Sequence, residues 1–248
     1  LSEDEGTSVL LNGEDHVRIQ VLCNGMDIQS CFKKANEIDD YIDAHFDYAF
    51  DEKYGYKTTF PTNTGTGMKA GYTLHLPSLS DARRLNDISA ELGRFGLKFR
   101  TVYGDGQNGY GNLYQISTQK TLGQDEREVI KDLDDIVLQI VNQEKEQREH
   151  FYKKDKIQMD DEIYKSYGVL KYARKLSLKD SMVLISELMT GVSLGVLQFA
   201  HNGRYNINEL IMDIQPAVLR QNSGKAMSVA ETDVLRAEYI RKYLPEII

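Results

Sequence analysis

The chain has no tryptophan, and only two cysteines and four prolines among its 248 residues. Two cysteines cannot build a disulfide framework, and the eight-residue separation of Cys23 and Cys31 matches no metal-ligand spacing. Cys31 falls on the apolar face of an expected helix and Cys23 ends an expected strand, so both read as buried, reduced thiols of a cytoplasmic protein. No apolar run approaches the roughly 18 residues of a membrane span. The opening LSEDEGTS is acidic and polar, unlike a secretory leader, and it lacks an initiator Met, so residue 1 need not be the natural start. Positive charge is also short. Thirty Lys and Arg against 38 Asp and Glu leave a net charge of −8, the wrong sign for a general nucleic-acid binder. What remains, 41% hydrophobic and 27% charged, suits one large or two modest globular domains.

Periodicity divides the chain. Residues 8–11 and 17–23 read as strands, and Asp27 reads as the cap of a helix carrying Ile28, Cys31, Phe32, Ala35, Ile38 and Ile42 inward. A Tyr- and Asp-rich connector, DYAFDEKYGY, leads to a short strand ending near Phe60. Ala70, Tyr72, Leu74 and Leu76 alternate as a strand stopped by Pro77. Ser80 is expected to cap a helix that Gly96 ends. Two further strands, 97–102 and 112–118, enclose a Gly-rich loop. A long helix is expected from Gln124 to about Phe151, its polar end NQEKEQREH facing solvent. Beyond residue 156 only helical patterns remain, over 160–170, 179–189, 207–219 and 230–244. The fold class is α+β, a mainly antiparallel sheet flanked by helices (residues 1–152), followed by a small all-α domain (residues 153–248).

Three polar stretches interrupt these patterns. The first, LLNGEDHVR over residues 10–18, crowds Glu14, Asp15, His16 and Arg18 between two strands. It is either a charged hairpin turn or a site, since turns seldom require four ionisable groups. The second is TFPTNTGTGMKAG (59–71), the third RTVYGDGQNGYG (100–111). Gly104, Gly106 and Gly109 formally satisfy G-x-G-x-x-G, but the loop enters a strand pattern, NLYQIST, where a dinucleotide fingerprint requires a helix. GTGMKAG lacks the G-K-[ST] ending of a phosphate-binding P-loop.

Taken together and in order, NGEDHVR, FPTNTGTGMKAG, FRTVYGDGQNGYGNLYQIS and TLG resemble the ATP:guanidino phosphotransferases, or phosphagen kinases. Their pattern is like NEEDHLR, then CPTNxGTGxRA, then a Gly-rich loop leading to a strand ending in IS. The helical tail is most similar to the bacterial protein-arginine kinases (the McsB family). The resemblance covers essentially the whole chain. It implies transfer of the γ-phosphate of ATP, with Mg²⁺, to arginine side chains of proteins. Such chemistry needs carboxylates that orient a planar guanidinium and cations that gather phosphates.

On this resemblance Glu14 matches the catalytic carboxylate, and Asn108 stands where a second substrate-gripping glutamate is expected. Arg18 and Lys69 match two positions of the arginine cage, Arg100 supports it from the neighbouring loop, and His16 either touches the nucleotide or stabilises the turn. Near the C-terminus, ETDVLRA resembles the phosphoarginine-binding RDxxRA motif, with Asp233 for the guanidinium and Arg236 for the phosphate. The competing reading is an ordinary Asp–Arg pair on a helix. The resemblance further implies a homodimer, hand-off of marked proteins to a Clp-type protease, no dedicated metal ligands, and no nucleic-acid or membrane partner.

The departures bear on activity. Gly13 replaces the first acid of a pair, Phe60 a reactive cysteine, Lys69 an arginine with its forked geometry, Asn108 a glutamate and Thr232 an arginine. No stretch like the family's upstream SSRVRLARN occurs, so the chain reads either as the C-terminal part of a longer kinase or as a shortened relative. Weak or absent catalysis by this chain alone is therefore expected. The alternative function is a catalytically impaired, kinase-derived module that binds phosphoarginine or a partner protein in regulated proteolysis.

Overall fold

Strand alternation and helix capping account for most of the first hundred residues. The computed structural model describes residues 1–2, 6–105, 108–123, 125–200 and 207–248, the side chains of Asp105 and Asn108 excepted. Strands β1 (Thr7–Leu11) and β2 (Val17–Val21) pair antiparallel, Leu11 opposite Val17 and Leu10 opposite Arg18. Helix α1 (Ile28–Asp43) follows, and the Asp27 carboxylate accepts the Ser30 N–H at 3.3 Å as its cap. The turn between β2 and α1 brings Cys23 beside the first helical turn, where its sulfur is joined to that of Cys31, the Cα atoms 6.1 Å apart. This corrects the reading of two buried, reduced thiols, since Cys23 is exposed and Cys31 only half-buried.

The connector folds as a miniature hairpin, β3 (Phe50–Asp51) with β4 (Gly55–Tyr56), closed where Asp51 Oδ1 accepts the N–H groups of Lys53 and Tyr54. No strand ends at Phe60. A 3₁₀ turn (Pro61–Asn63) begins there instead, because Pro61 presets its first φ. Strands β5 (Gly71–His75), β6 (Leu97–Thr101) and β9 (Leu113–Thr118) form a sheet in the order β5-β9-β6, and β7 (Gly104–Asp105) pairs antiparallel with β8 (Asn108–Gly109). Pro77 opens a short helix, α2 (Pro77–Asp81), so Ser80 lies inside a helix and does not cap one; α3 (Leu85–Arg94) comes after it. Helix α4 (Glu126–Lys154) begins on Glu126 and Glu128 and ends on Lys153 and Lys154, matching its dipole.

The remaining helices are α5 (Lys156–Tyr172), α6 (Leu178–Ser193), α7 (Ile207–Asp213), α8 (Pro216–Ser223) and α9 (Val229–Tyr243). The single helix expected over 207–219 is two, since Pro216 starts a new one and left-handed Gly224 ends it. Ser228 and Glu231 form a complete capping box on α9.

By compactness the chain forms two units. One comprises residues 1–74, 85–100 and 115–142, the other 75–84, 101–114 and 143–248. In the first, Tyr72, Leu74 and Ile116 of the sheet are buried, as are Ile88 and Leu92 of α3 and Ile130, Leu133 and Val137 of α4, and Tyr72 Oη donates to Asp134 at 2.5 Å. In the second, Ile163, Leu170, Met182, Ile185, Leu188, Leu210, Ile214 and Ile240 are at most 1% exposed and form one core. The polar end of α4 faces solvent on one side only, because Asn142, Lys145, Glu146, Glu149 and His150 are exposed while Glu144 and Arg148 are 2% and 7% exposed. Glu144 accepts the Ser78 and Leu79 N–H groups at the start of α2, and Arg148 bonds both Glu144, at 2.9 Å, and Ser193. Nearby, His75 Nε2 lies 2.8 Å from Ser186 Oγ. Burial, then the Arg148 charge, pushes this imidazole down to about 3.

Candidate active site

The polar knot between β1 and β2 is a five-residue loop. Asn12 takes a left-handed φ of 55° and donates its N–H to the His16 carbonyl at 2.9 Å. Glu14, His16 and Arg18 are exposed, whereas Asp15 is half-buried. Asp15 Oδ1 accepts the Thr59 N–H at 2.7 Å, and its Oδ2 accepts Asn63 Nδ2 at 3.3 Å. The Thr59 N–H beside it holds the Asp15 carboxyl below the ordinary carboxylate range, with smaller help from Asn63 and the His16 charge and against the cost of burial. Lys69 Nζ in turn donates to Asn63 Oδ1 at 2.5 Å. A chain of hydrogen bonds, Asp15 to Asn63 to Lys69, therefore joins two stretches some 50 residues apart in sequence.

The second loop is braced from behind by Thr121, 5% exposed. Its hydroxyl donates to the Thr62 and Thr64 carbonyls, at 3.1 and 2.7 Å, and its carbonyl accepts the Thr66 N–H at 2.8 Å. Gly65 passes so close that a β-carbon on it would lie 2.1 Å from the Thr121 oxygen, and its φ of 115° excludes most side chains as well. On its other side Gly65 pairs with Tyr56, at 2.8 and 3.3 Å. Phe60 is 45% exposed on this loop, so its ring does not retreat into the core. Arg100 lies on the exposed side of β6, its Nε donating to Gln115 Oε1 at 2.8 Å. Among the described residues Glu14 makes no hydrogen bond or ion pair, leaving its carboxylate open to a ligand. Asn108 belongs to β8, with its side chain outside the described residues.

Of the residues expected at the site, Glu14 and His16 thus lie on the first loop, Arg18 on β2 just beyond it and Lys69 on the second loop, the two loops being fastened to each other. The residues that fasten them, Asp15, Asn63 and Thr121, had no role assigned from sequence. Their only sequence signal was membership of the quoted motifs, Asp15 in NGEDHVR, Asn63 in FPTNTGTGMKAG and Thr121 in TLG.

The pair read as a phosphoarginine ligand is placed differently. Arg236 is 2% exposed, and it donates from Nη1 to Asp233 Oδ1 at 2.7 Å and to the Leu176 carbonyl at 2.9 Å, and from Nε to the Ile214 carbonyl at 3.0 Å. In this arrangement Asp233 and Arg236 staple α9 to the ends of two neighbouring segments. The physical reason is the helix's other faces, since Ala237 and Ile240 turn the same side of α9 into the core.

The fold is shared with guanidino kinases. A lombricine kinase structure superposes with a TM-score of 0.51 and 25% identity over 58% of this chain and 40% of that one. The duplicated taurocyamine kinase of Schistosoma mansoni, with bound transition state analog components, has a TM-score of 0.50 at 22% identity, over 58% of this chain and 20% of its own, and supports the fold alone. Residues 1–147 match the ATP:guanido phosphotransferase C-terminal catalytic domain, and residues 156–247 the C-terminal domain of the protein-arginine kinase McsB. The protein-arginine kinase of Bacillus subtilis is 41% identical over 244 residues, 98% of this chain and 67% of that protein. That of Clostridium kluyveri is 40% identical over 244 residues, 98% and 70% of the two chains. This chain belongs to the protein-arginine kinases, a branch of the ATP:guanido phosphotransferases.

Proposed function

We propose that this chain supplies the guanidinium-orienting acid and part of the phosphate-gathering charge for phosphoryl transfer from ATP to protein arginine. The observation that carries the reading is the Asp15–Asn63–Lys69 chain, which fixes Glu14 and Lys69 on loops tied to each other. The Glu14 carboxylate aligns the guanidinium and accepts its proton. As that nitrogen attacks the γ-phosphorus, an N–P bond forms and the bond to the β–γ bridging oxygen breaks, ADP leaving with the electron pair. Lys69, Arg18, His16 and, from β6, Arg100 offset the phosphate charge. Asn108 replaces an acid that would grip the guanidinium a second time, which lowers the rate.

No trio of His, Cys, Asp or Glu side chains gathers to hold a metal among the described residues. Mg²⁺ would be carried mainly by the nucleotide phosphates, where it would neutralise developing charge. Asp233 and Arg236 serve as an interior staple in this reading. By family likeness the protein works as a homodimer in the bacterial cytoplasm and marks proteins for a Clp-type protease. Its relatives are bacterial, and no helix among the described residues is long and apolar enough to cross a membrane.

The test is to incubate the chain with ATP, Mg²⁺ and an arginine-rich protein and to measure acid-labile phosphate. Turnover lost in Glu14→Gln supports the kinase. Phosphoarginine binding without any turnover would replace it with the binding-module reading, which Phe60 on the loop favours.

A further inference from the structure

An open cleft in the first unit is lined by Asp43, Asp47, Tyr48, Phe50 and Tyr56, the last of which pairs through its backbone with Gly65 of the second loop. Three rings make its apolar walls. Tyr48 and Phe50 each meet Tyr56 edge to face, with centroids 5.6 and 5.2 Å apart and planes at 78° and 74°. Both tyrosine hydroxyls are committed to one carboxylate, Tyr48 to Asp39 Oδ1 at 3.0 Å and Tyr56 to Asp39 Oδ2 at 3.2 Å. These bonds hold both tyrosine rings, which are half-buried. Phe50 is 54% exposed.

The charge here is one-sided. Asp43 and Asp47 make no hydrogen bond or ion pair among the described residues. Of the lysines in and just after the neighbouring hairpin, Lys57 pairs with Asp51 at 3.6 Å and Lys53 sits over the Tyr54 ring at 5.1 Å. Asp39, Asp43 and, beyond them, Glu126 hold the Tyr56 hydroxyl up to about 12, together with burial, which contributes most. Helix polarity adds to the imbalance. Helices α4 and α9 end on Lys or Arg, as the negative end of a helix dipole favours, while α1 ends on Asp40 and Asp43 with no basic residue in its last turn. Carboxylates at that end oppose folding; Asp40 accepts Asn36 Nδ2 at 2.9 Å, while among the described residues no basic side chain pairs with Asp43.

We propose that this cleft is a docking subsite for a guanidinium side chain of the protein substrate, separate from the arginine that is phosphorylated. Flat rings and unpaired carboxylates fit a planar, weakly hydrated cation that stacks and accepts forked hydrogen-bond partners, better than a compact, strongly hydrated ammonium. The cleft also communicates with the loop above. The Tyr56 backbone pairs with Gly65, so an occupant against the Tyr56 ring bears on the strand segment that positions Asn63 and Lys69. The identity of the occupant as substrate rests on the kinase reading; binding of the cation does not.

The test is an NMR titration of the whole chain carrying Glu14→Gln, with acetyl-Gly-Arg-Gly-amide as probe and the Lys and citrulline peptides as controls. The ring resonances of Tyr48, Phe50 and Tyr56 should shift saturably with the Arg peptide, several-fold more weakly with Lys and not with uncharged citrulline. Asp43→Asn with Asp47→Asn should weaken the Arg peptide about tenfold without lowering Tm. No ring response, an equal response to citrulline, or an unaffected double variant each overturns the subsite. Ring response with no phosphoryl transfer by the chain that retains Glu14 would sink the kinase reading and keep the subsite. Transfer without ring response would do the reverse.

Discussion

Asp15 and Asp233 invite comparison, because each sits beside basic residues in a motif that the family resemblance marks as ligand-binding. Asp15 anchors an open loop whose neighbours Glu14, His16 and Arg18 remain in solvent. Asp233 closes a buried pair in which the Arg236 guanidinium meets two carbonyls and a carboxylate. The same residue types therefore do opposite work. Where water is excluded, charge is consumed holding helices together; where water remains, part of it is left for a ligand.

The comparison can be broken most forcefully at Glu14. Glu14→Gln should lower phosphoryl transfer by about 10²–10⁴-fold with Tm unchanged, read by acid-labile phosphate and a melting curve. Arg236→Ala should do the converse, destabilising the helical unit by about 3–5 kcal/mol in a denaturant titration, because it strands Asp233 and two carbonyls without their donor. If that variant kept its stability but lost phosphoarginine binding, the staple would be a ligand site after all. Asp15→Asn should cost about tenfold in kcat/KM, mostly through KM, since the loops stay present but less firmly joined.

The mildest probe is pH. His75 is held neutral in the native state at about 3 against an ordinary 6.5, so below pH 6.5 the unfolded chain takes up a proton that the native chain refuses. Stability of the second unit should fall as pH drops from 6.5 toward 3, and His75→Gln should flatten that slope.

Long periodic segments were legible in advance. The faces of α1, α3 and α4, and the alternation in β5 and β9, follow from local pattern, and Asp27 announces its helix because an N-cap needs only neighbours. What stayed hidden depends on partners far along the chain. The N-terminus of α2 is capped by Glu144, 65 and 66 residues away, so Glu144 and Arg148 looked like part of a solvated run. The site was half legible for the same reason. The family resemblance pointed to Glu14, Arg18 and Lys69, but no local rule says that Asp15 will reach Thr59 and Asn63. Nor does the RDxxRA likeness show that Ala237 and Ile240 carry Arg236 inward.

One glycine sets a limit on how this loop could be redesigned. Gly65 is pressed between the backbones of Tyr56 and Thr121, whereas Gly67, two positions on, has only the Tyr56 ring at 3.7 Å as its nearest neighbour. A library randomising both codons should return functional clones with glycine alone at the first, and with several residues that tolerate its φ of 64°, Asn foremost, at the second.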